Sequence, residues 1–522
     1  MNLISYWRKT LPRWLLPVTG LLLAVLISIP ATSLADVPLP PGRSPFDLDY
    51  ELFYQAAVAA GDLRLLPPVG PFYHSALSRT LADRSQSSAL DIVSILPDSD
   101  IRFFAITTER YQARRRARGK DLPSLAGGAY YQPSSHFGTL LLFDLDRARA
   151  LDPDYTGKKW RGLAGDIETA AIYFKKSSLT LTLGRQRVFW GPRPVNLLLS
   201  TTAAPLDLFS AEYGKGRLHF SFLFARLDGS RPDSLDRLHF PDRSFNDNRY
   251  LVGHRLDILF HRTFRLGLFE TSLFGGEGRP PELYYLNPLQ FFHTAQLNEE
   301  TDDNTILGLD FTFLPYPGYS IYGQLLIDDF QIDRRVPADQ EPNEIGLLAG
   351  FFKAGQVGLF SPDLRLEYVK ITNRTYHQRD PCNRYLFRNK LLGHPLGPDA
   401  DSLSLMIRFW PASRQFVELE GAYRRQGEGS IYQFWEEPWA ESEGDYNEPF
   451  PTGVVEKVFA IAVRLQGYLP LSRYTSDHLF VAVEAGLGSI DNSGHVRGRK
   501  STTGWLDVSV SWLGFMEVDV GN

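Results

Sequence analysis

The sequence predicts an all-β chain: a transmembrane antiparallel β-barrel of about 16–18 strands with a small N-terminal helical part. Three observations carry this. From His136 to the end of the chain, stretches with an apolar residue at every second position recur, which is the pattern of strands that face two different environments. The connections between these stretches are alternately long and short, as the extracellular loops and periplasmic turns of an outer-membrane barrel are. Beyond the first 35 residues there is no run of about 18 to 20 apolar residues that could make a transmembrane helix.

Composition agrees with this class. The 522 residues include 43 Gly, 35 Pro and 13% aromatics but only 3 Met, as expected of a β-rich chain with many turns. A mean hydropathy of -0.21 fits a barrel, whose strands alternate lipid-facing with lumen-facing residues. The net charge of -5 is too weak on this length to steer a strongly charged partner, so no nucleic acid is expected. The lone Cys382, beside Pro381, has no internal disulfide partner and reads as an incidental thiol.

In chain order, residues 1–35 read as a cleaved signal peptide: basic Arg8, Lys9 and Arg13, an apolar Leu15–Ile29, and Ser33-Leu34-Ala35 at the cleavage site. Residues 36–120 read as a periplasmic or plug-like helical segment. Short helices are predicted at Glu51–Gly61, ended by Gly61, and at Tyr73–Ser85. A third, Thr107–Arg118, would carry Arg110, Arg114, Arg115, Arg116 and Arg118 on a solvated basic face. Residues 121–522 are assigned to the barrel, as a monomer in outer-membrane lipid. Strands are predicted near 136–145, 166–175, 178–188, 206–213, 217–226, 250–260, 264–273 and 305–314. They continue near 319–329, 344–353, 356–372, 403–410, 414–424, 454–466, 477–488 and 504–520. Two more strands have room between Ile101 and Gln132.

The faces can be read as well. Phe459, Ile461, Val463 and Leu465 face lipid with Arg464 and Gln466 inside, and Leu307, Leu309, Phe311 and Phe313 oppose Asp310. Val417 and Leu419 oppose Glu418 and Glu420, so both signs of charge line a crosslinked, polar lumen. In Ser178–Pro205, Leu179, Leu181 and Leu183 share one face and the pattern changes phase at Gly184, which predicts a bulge there. The break at Trp190-Gly191-Pro192 predicts a rigid, side-chain-packed loop.

Three stretches carry a family resemblance: GRQRVFWGPRPVNLLLS followed by TAAPL, YYLNPLQFF from Tyr284 to Phe292, and LGHPLGPDAD from Leu392 to Asp401. In that order they resemble the capsule-assembly Wzi family of outer-membrane proteins. The resemblance implies 18 strands and a lectin-like barrel that holds exported capsular or other surface polysaccharide at the cell surface. The alternative is a substrate-specific outer-membrane channel for oligosaccharides.

Sequence motifs of catalysis, phosphate binding or paired metal ligands are missing, so no catalytic residue, metal or cofactor is assigned. The acidic run Asn298–Asn304 reads as a solvated loop tip rather than a Ca²⁺ site. The binding candidates are Trp435, Glu436, Glu437 and Trp439, because flat aromatic faces beside carboxylates suit sugar rings; an aromatic girdle at the membrane interface is the alternative. Trp190 with Arg185 and Arg187 is a second candidate against strand-end packing, and His394 a third against loop packing.

Overall fold

The computed structural model describes residues 54–66, 69–70, 101–114, 119–134, 136–153, 155, 157–299, 301–330, 340–356, 358–412, 415–441, 446–470 and 478–518. The expected signal peptide and the expected helix at Tyr73–Ser85 lie outside them. Eighteen strands close into an up-and-down antiparallel barrel. They are β1 Ile101–Arg114, β2 Ser124–Ser134, β3 Phe137–Asp146, β4 Leu163–Lys176, β5 Leu179–Gln186, β6 Leu206–Lys215, β7 Leu218–Leu227, β8 Asp247–His261 and β9 Phe264–Glu277. The second half is β10 Asn304–Phe313, β11 Tyr319–Asp329, β12 Glu344–Lys353, β13 Gly358–Ile371, β14 Ala400–Ala412, β15 Gln415–Gln426, β16 Glu456–Pro470, β17 His478–Asp491 and β18 Ser501–Val518. Strand β1 pairs with β18 from Ile101 opposite Val518 to Arg114 opposite Trp505, so no edge is left open.

Two expectations are corrected here. The stretch Thr107–Arg118 is not a helix: through Arg114 it belongs to β1, and the closed sheet begins at Ile101 rather than at 121. The arginine spacing that reads as a helical face serves the lumen instead, where Arg110 grips Asp507 of β18 at 3.0 and 2.7 Å. The bulge expected at Gly184 is also absent, because the register of β5 with β6 runs unbroken from Gln186 to Leu179. Glycine is required there for another reason: φ is +134° and a Cβ would come within 2.1 Å of the Ala170 carbonyl oxygen.

The wall alternates as an outer-membrane barrel must. Leu307, Leu309, Leu403, Leu405, Phe459 and Ile461 are exposed on the outside. Several charges on the inside are paired. Arg255 makes two hydrogen bonds each to Asp257 and Asp310, and Glu418 bridges Arg408 and Arg464, which also reaches Glu484. Such pairs hold the inner faces together in a low-dielectric interior, where each lone charge would be costly.

The lumen is filled from both ends. At the short-turn end, read as periplasmic, a helix over residues 54–60 ends at Gly61 with φ +64°. It is tied to three turns: Gly318 donates to the Val58 carbonyl, Leu63 donates to the Arg262 carbonyl, and Gln55 reaches the Gly355 carbonyl. Tyr54 packs edge-on against Phe352 and Tyr322 of the inner wall, with the Arg193 guanidinium 4.3 Å over its ring. Farther along, Val69 and Gly70 pair as a strand with Trp190 and Phe189.

Those partners come from the opposite end. The β5–β6 connection, residues 187–205, dips into the lumen, where the Leu197 N–H donates to Gln324 of the wall. The β13–β14 connection, residues 372–399, follows it: Tyr376 Oη donates to the Leu197 carbonyl at 2.5 Å and the Ser200 N–H donates to the Leu392 carbonyl. The resulting core joins Tyr54, Val58, Trp190, Leu197, Tyr376, Tyr385 and Leu392 with the inner wall.

Candidate functional site: the sealed extracellular face

With the lumen packed, what a large ligand meets is the layer of long connections over the mouth. Three arginines fix it. Arg249 of β8 donates to the carbonyls of Cys382, Arg384 and Leu386. Arg384 grips Asp236, at the start of a short helix Ser234–His239, with both groups buried. Arg374 grips Glu448 at 3.0 and 2.8 Å, so the β13–β14 and β15–β16 connections are clamped together. Asp399, in the LGHPLGPDAD stretch, adds a second clamp, accepting the N–H groups of Gly429 and Thr452. That stretch is therefore a hinge pin for the tryptophan-rich loop.

The expected binding residues fall in different places. Trp435 and Trp439 are 8% and 4% exposed. They meet edge to face at 6.2 Å, and the Arg374 guanidinium sits 4.5 Å over the Trp439 ring, so they support the layer instead of presenting flat faces. Glu436 and Glu437 between them are exposed, with Arg379 lying 3.7 Å from Glu437. Trp190 is 2% exposed inside the lumen, its ring over Gly253, where a Cβ would come within 2.9 Å. Arg185 is bound to Asp207 of the neighbouring strand at 2.7 and 2.5 Å. Arg187 pairs with Glu168 and donates to the Thr201 and Ala203 carbonyls, anchoring the inward loop. His394 accepts the Leu396 N–H, and burial pushes its imidazole down to about 4. Of the eight, only Glu436 and Glu437 face outward from the mouth.

Around those two carboxylates lie groups the sequence did not single out. The ring of His239 stacks on Phe434 with centroids 4.0 Å apart, and the exposed Tyr432 donates its hydroxyl to the Asn389 carbonyl. Gln433 is exposed beside them, and its carbonyl is held by His377 Nε2 at 2.8 Å from below. Burial, helped by the nearby Arg384 and Arg374, pushes His377 down to about 3. The outer surface thus combines aromatic faces, carboxylates, an amide and a guanidinium over a buried scaffold. No sequence signal marked His239, which comes from a different loop; Tyr432 and Phe434 adjoin the tryptophan run and could have been included. Cys382 is buried in the layer, and burial pushes its thiol up to about 12. Asp303 of the acidic run is taken up by Arg279 and the Tyr285 hydroxyl.

The family model described as "Capsule assembly protein Wzi" matches residues 148–477, which span the inward loops and the mouth layer. The chain belongs to the Wzi family of capsule assembly proteins. No curated protein matches it in sequence. Among solved structures it is similar to Wzi of Escherichia coli, an outer-membrane protein involved in group 1 capsule assembly and described as a carbohydrate-binding β-barrel. That likeness has a TM-score of 0.59 at 16% identity, over 89% of this chain and 97% of that one, and is one of fold. OccD3 of Pseudomonas aeruginosa has a TM-score of 0.46 at 10% identity, over 80% and 92% of the two chains. OccAB1 of Acinetobacter baumannii likewise has 0.46 at 9%, over 81% and 98%. Those two values are too low to bear on function.

Proposed function

We propose that this Wzi-family barrel binds exported polysaccharide on its sealed extracellular face and so retains it at the cell surface. The observation that carries the reading is the occupied lumen. Two small spaces beside the inward loop, near Arg187 and Leu392 and near Trp190 and Leu223, have room for about one water at most. A channel for oligosaccharides needs a continuous wet path, which this packing disfavours. The N-terminal segment serves as the periplasmic plug.

The contact surface is the patch of His239, Phe434, Tyr432, Glu436, Glu437 and Arg379. Sugar C–H faces stack on the rings while hydroxyls donate to the carboxylates, and Arg379 suits an acidic sugar. The role is binding, with no catalytic step. Isolated surface polysaccharide should bind the purified barrel, and the combined Tyr432→Ala, Phe434→Ala and His239→Ala variant should bind it about tenfold or more weakly, at about 0.5–1.5 kcal/mol per lost stack. Equal binding by parent and variant would move the site elsewhere.

A further inference from the structure

The β9–β10 connection, residues 278–303, meets the layer over the mouth near its C-terminal end, where the Asp302 carbonyl accepts the Asn383 side-chain amide, and its Tyr285 and Phe292 fold down the outside of the wall. Its residues Tyr285 and Phe292 are buried in a second apolar cluster with Phe222 of β7, Tyr250 and Val252 of β8, and Phe274 of β9. Those wall residues point outward. In the register, Phe222 lies opposite His254, His254 opposite Glu270, and Glu270 opposite the exposed, lipid-facing Leu307.

A carboxylate on the lipid side of a barrel needs a reason. Glu270 accepts the N–H groups of Phe292 and His293 at 2.9 and 2.8 Å, and so caps the helix Phe292–Glu299 at its positive end. His254 Nε2 lies 3.2 Å from the same carboxylate, and its ring packs 4.6 Å from that of Phe292. The polar pair is the bolt that fixes a helix to the outer wall. At about 3.3 Å per residue and a tilt near 40°, Glu270 stands roughly 15 Å above the periplasmic-side ring of Phe264 and Phe313, well inside an apolar band about 25 Å tall.

The opposite side of this segment presents four large apolar side chains to the outside, with Asn287, His293 and Thr294 exposed among them. Leu283 is 84% exposed, Leu289 79%, Phe291 70% and Leu297 67%. In water such a patch would be a liability; continuous with the lipid-facing wall, it has an occupant at hand. We infer that residues 283–297 are seated in the outer leaflet, with Leu283, Leu289, Phe291 and Leu297 in contact with lipid acyl chains, and that the helix shields the Glu270–His254 pair from them. This gives the YYLNPLQFF stretch a role apart from the polysaccharide surface: Tyr285 and Phe292 face the wall, Leu289 and Phe291 the lipid.

Nitroxide labels test this on the full chain reconstituted in phosphatidylcholine–lipopolysaccharide vesicles, in a Cys382→Ser background. Labels go on Leu283→Cys and Leu289→Cys, with Leu307→Cys as the wall control and Lys500→Cys as the water control. The accessibility ratio of oxygen to a nickel chelate should match the wall control and exceed the water control several-fold. A ratio like that of position 500 would overturn the inference, and so would shielding from both reagents, which would mean that a second copy or another protein covers the face. These outcomes are independent of whether the mouth binds polysaccharide.

Discussion

Arg384 and Asp236, 148 residues apart in sequence, meet as a two-bond ion pair at 2.8 and 2.6 Å under the extracellular surface. The pair joins the helix that carries His239 to the connection that carries His377 and Arg379, and so sets the spacing of the outer patch. Removing one partner leaves an unpaired buried charge. Asp236→Asn should therefore loosen the layer by about 3–5 kcal/mol, read as faster protease cleavage within 372–399, while heat-modifiable gel migration shows the wall intact. Unchanged cleavage would mean that the pair does not hold the layer.

Trp435→Ala with Trp439→Ala should act through the same layer and not through a lost platform. Each deletion empties a packed site at about 3–5 kcal/mol and removes a ring face from beside the Arg374 guanidinium. Polysaccharide binding should fall together with protease resistance. Loss of binding with resistance unchanged would restore the tryptophans as contact residues.

The wall was legible in the sequence because lipid and lumen impose a period of two, and Phe459, Ile461 and Arg464 obey it plainly. The first two strands were legible only as room for two strands between Ile101 and Gln132, and not from their own residue pattern. Arg110 and Arg114 stand at helical spacing, and Ser124–Ser134 carries Gly127 and Gly128 where apolar alternation would otherwise show. The site was legible only in part, since a tryptophan run marks a constrained loop but not which face of it is outermost. Stacking of His239 on Phe434 is a tertiary contact between two loops, and local pattern has no access to it.

Acidification should loosen the mouth before the wall. His377 and His394 are held neutral when buried, down to about 3 and about 4, whereas a released imidazole titrates near 6.5. Below about 6.5 the loosened layer therefore binds protons that the folded layer does not, so its stability declines as pH falls towards the folded values. Amide exchange within 372–399, corrected for intrinsic rate, should be faster at pH 5 than at pH 7.5. Equal protection at the two pH values would contradict this.

In planar bilayers the protein should pass little steady current, because residues 54–66 and 69–70 and the 187–205 and 372–399 connections occupy the lumen. Replacing residues 189–204 with a short glycine–serine linker should open a measurable conductance. Large, stable, sugar-blockable currents from the unaltered protein would favour a channel.

The most direct test of retention compares cell-bound with released polysaccharide in a deletion strain. Because binding follows synthesis and export, total polymer should stay near the parental level while the released share rises. Restoring the unaltered chain should reverse this, and restoring the Tyr432→Ala, Phe434→Ala, His239→Ala chain should not. A deletion strain that makes no polymer, or one that sheds no more than its parent, would contradict a role in holding polysaccharide at the surface.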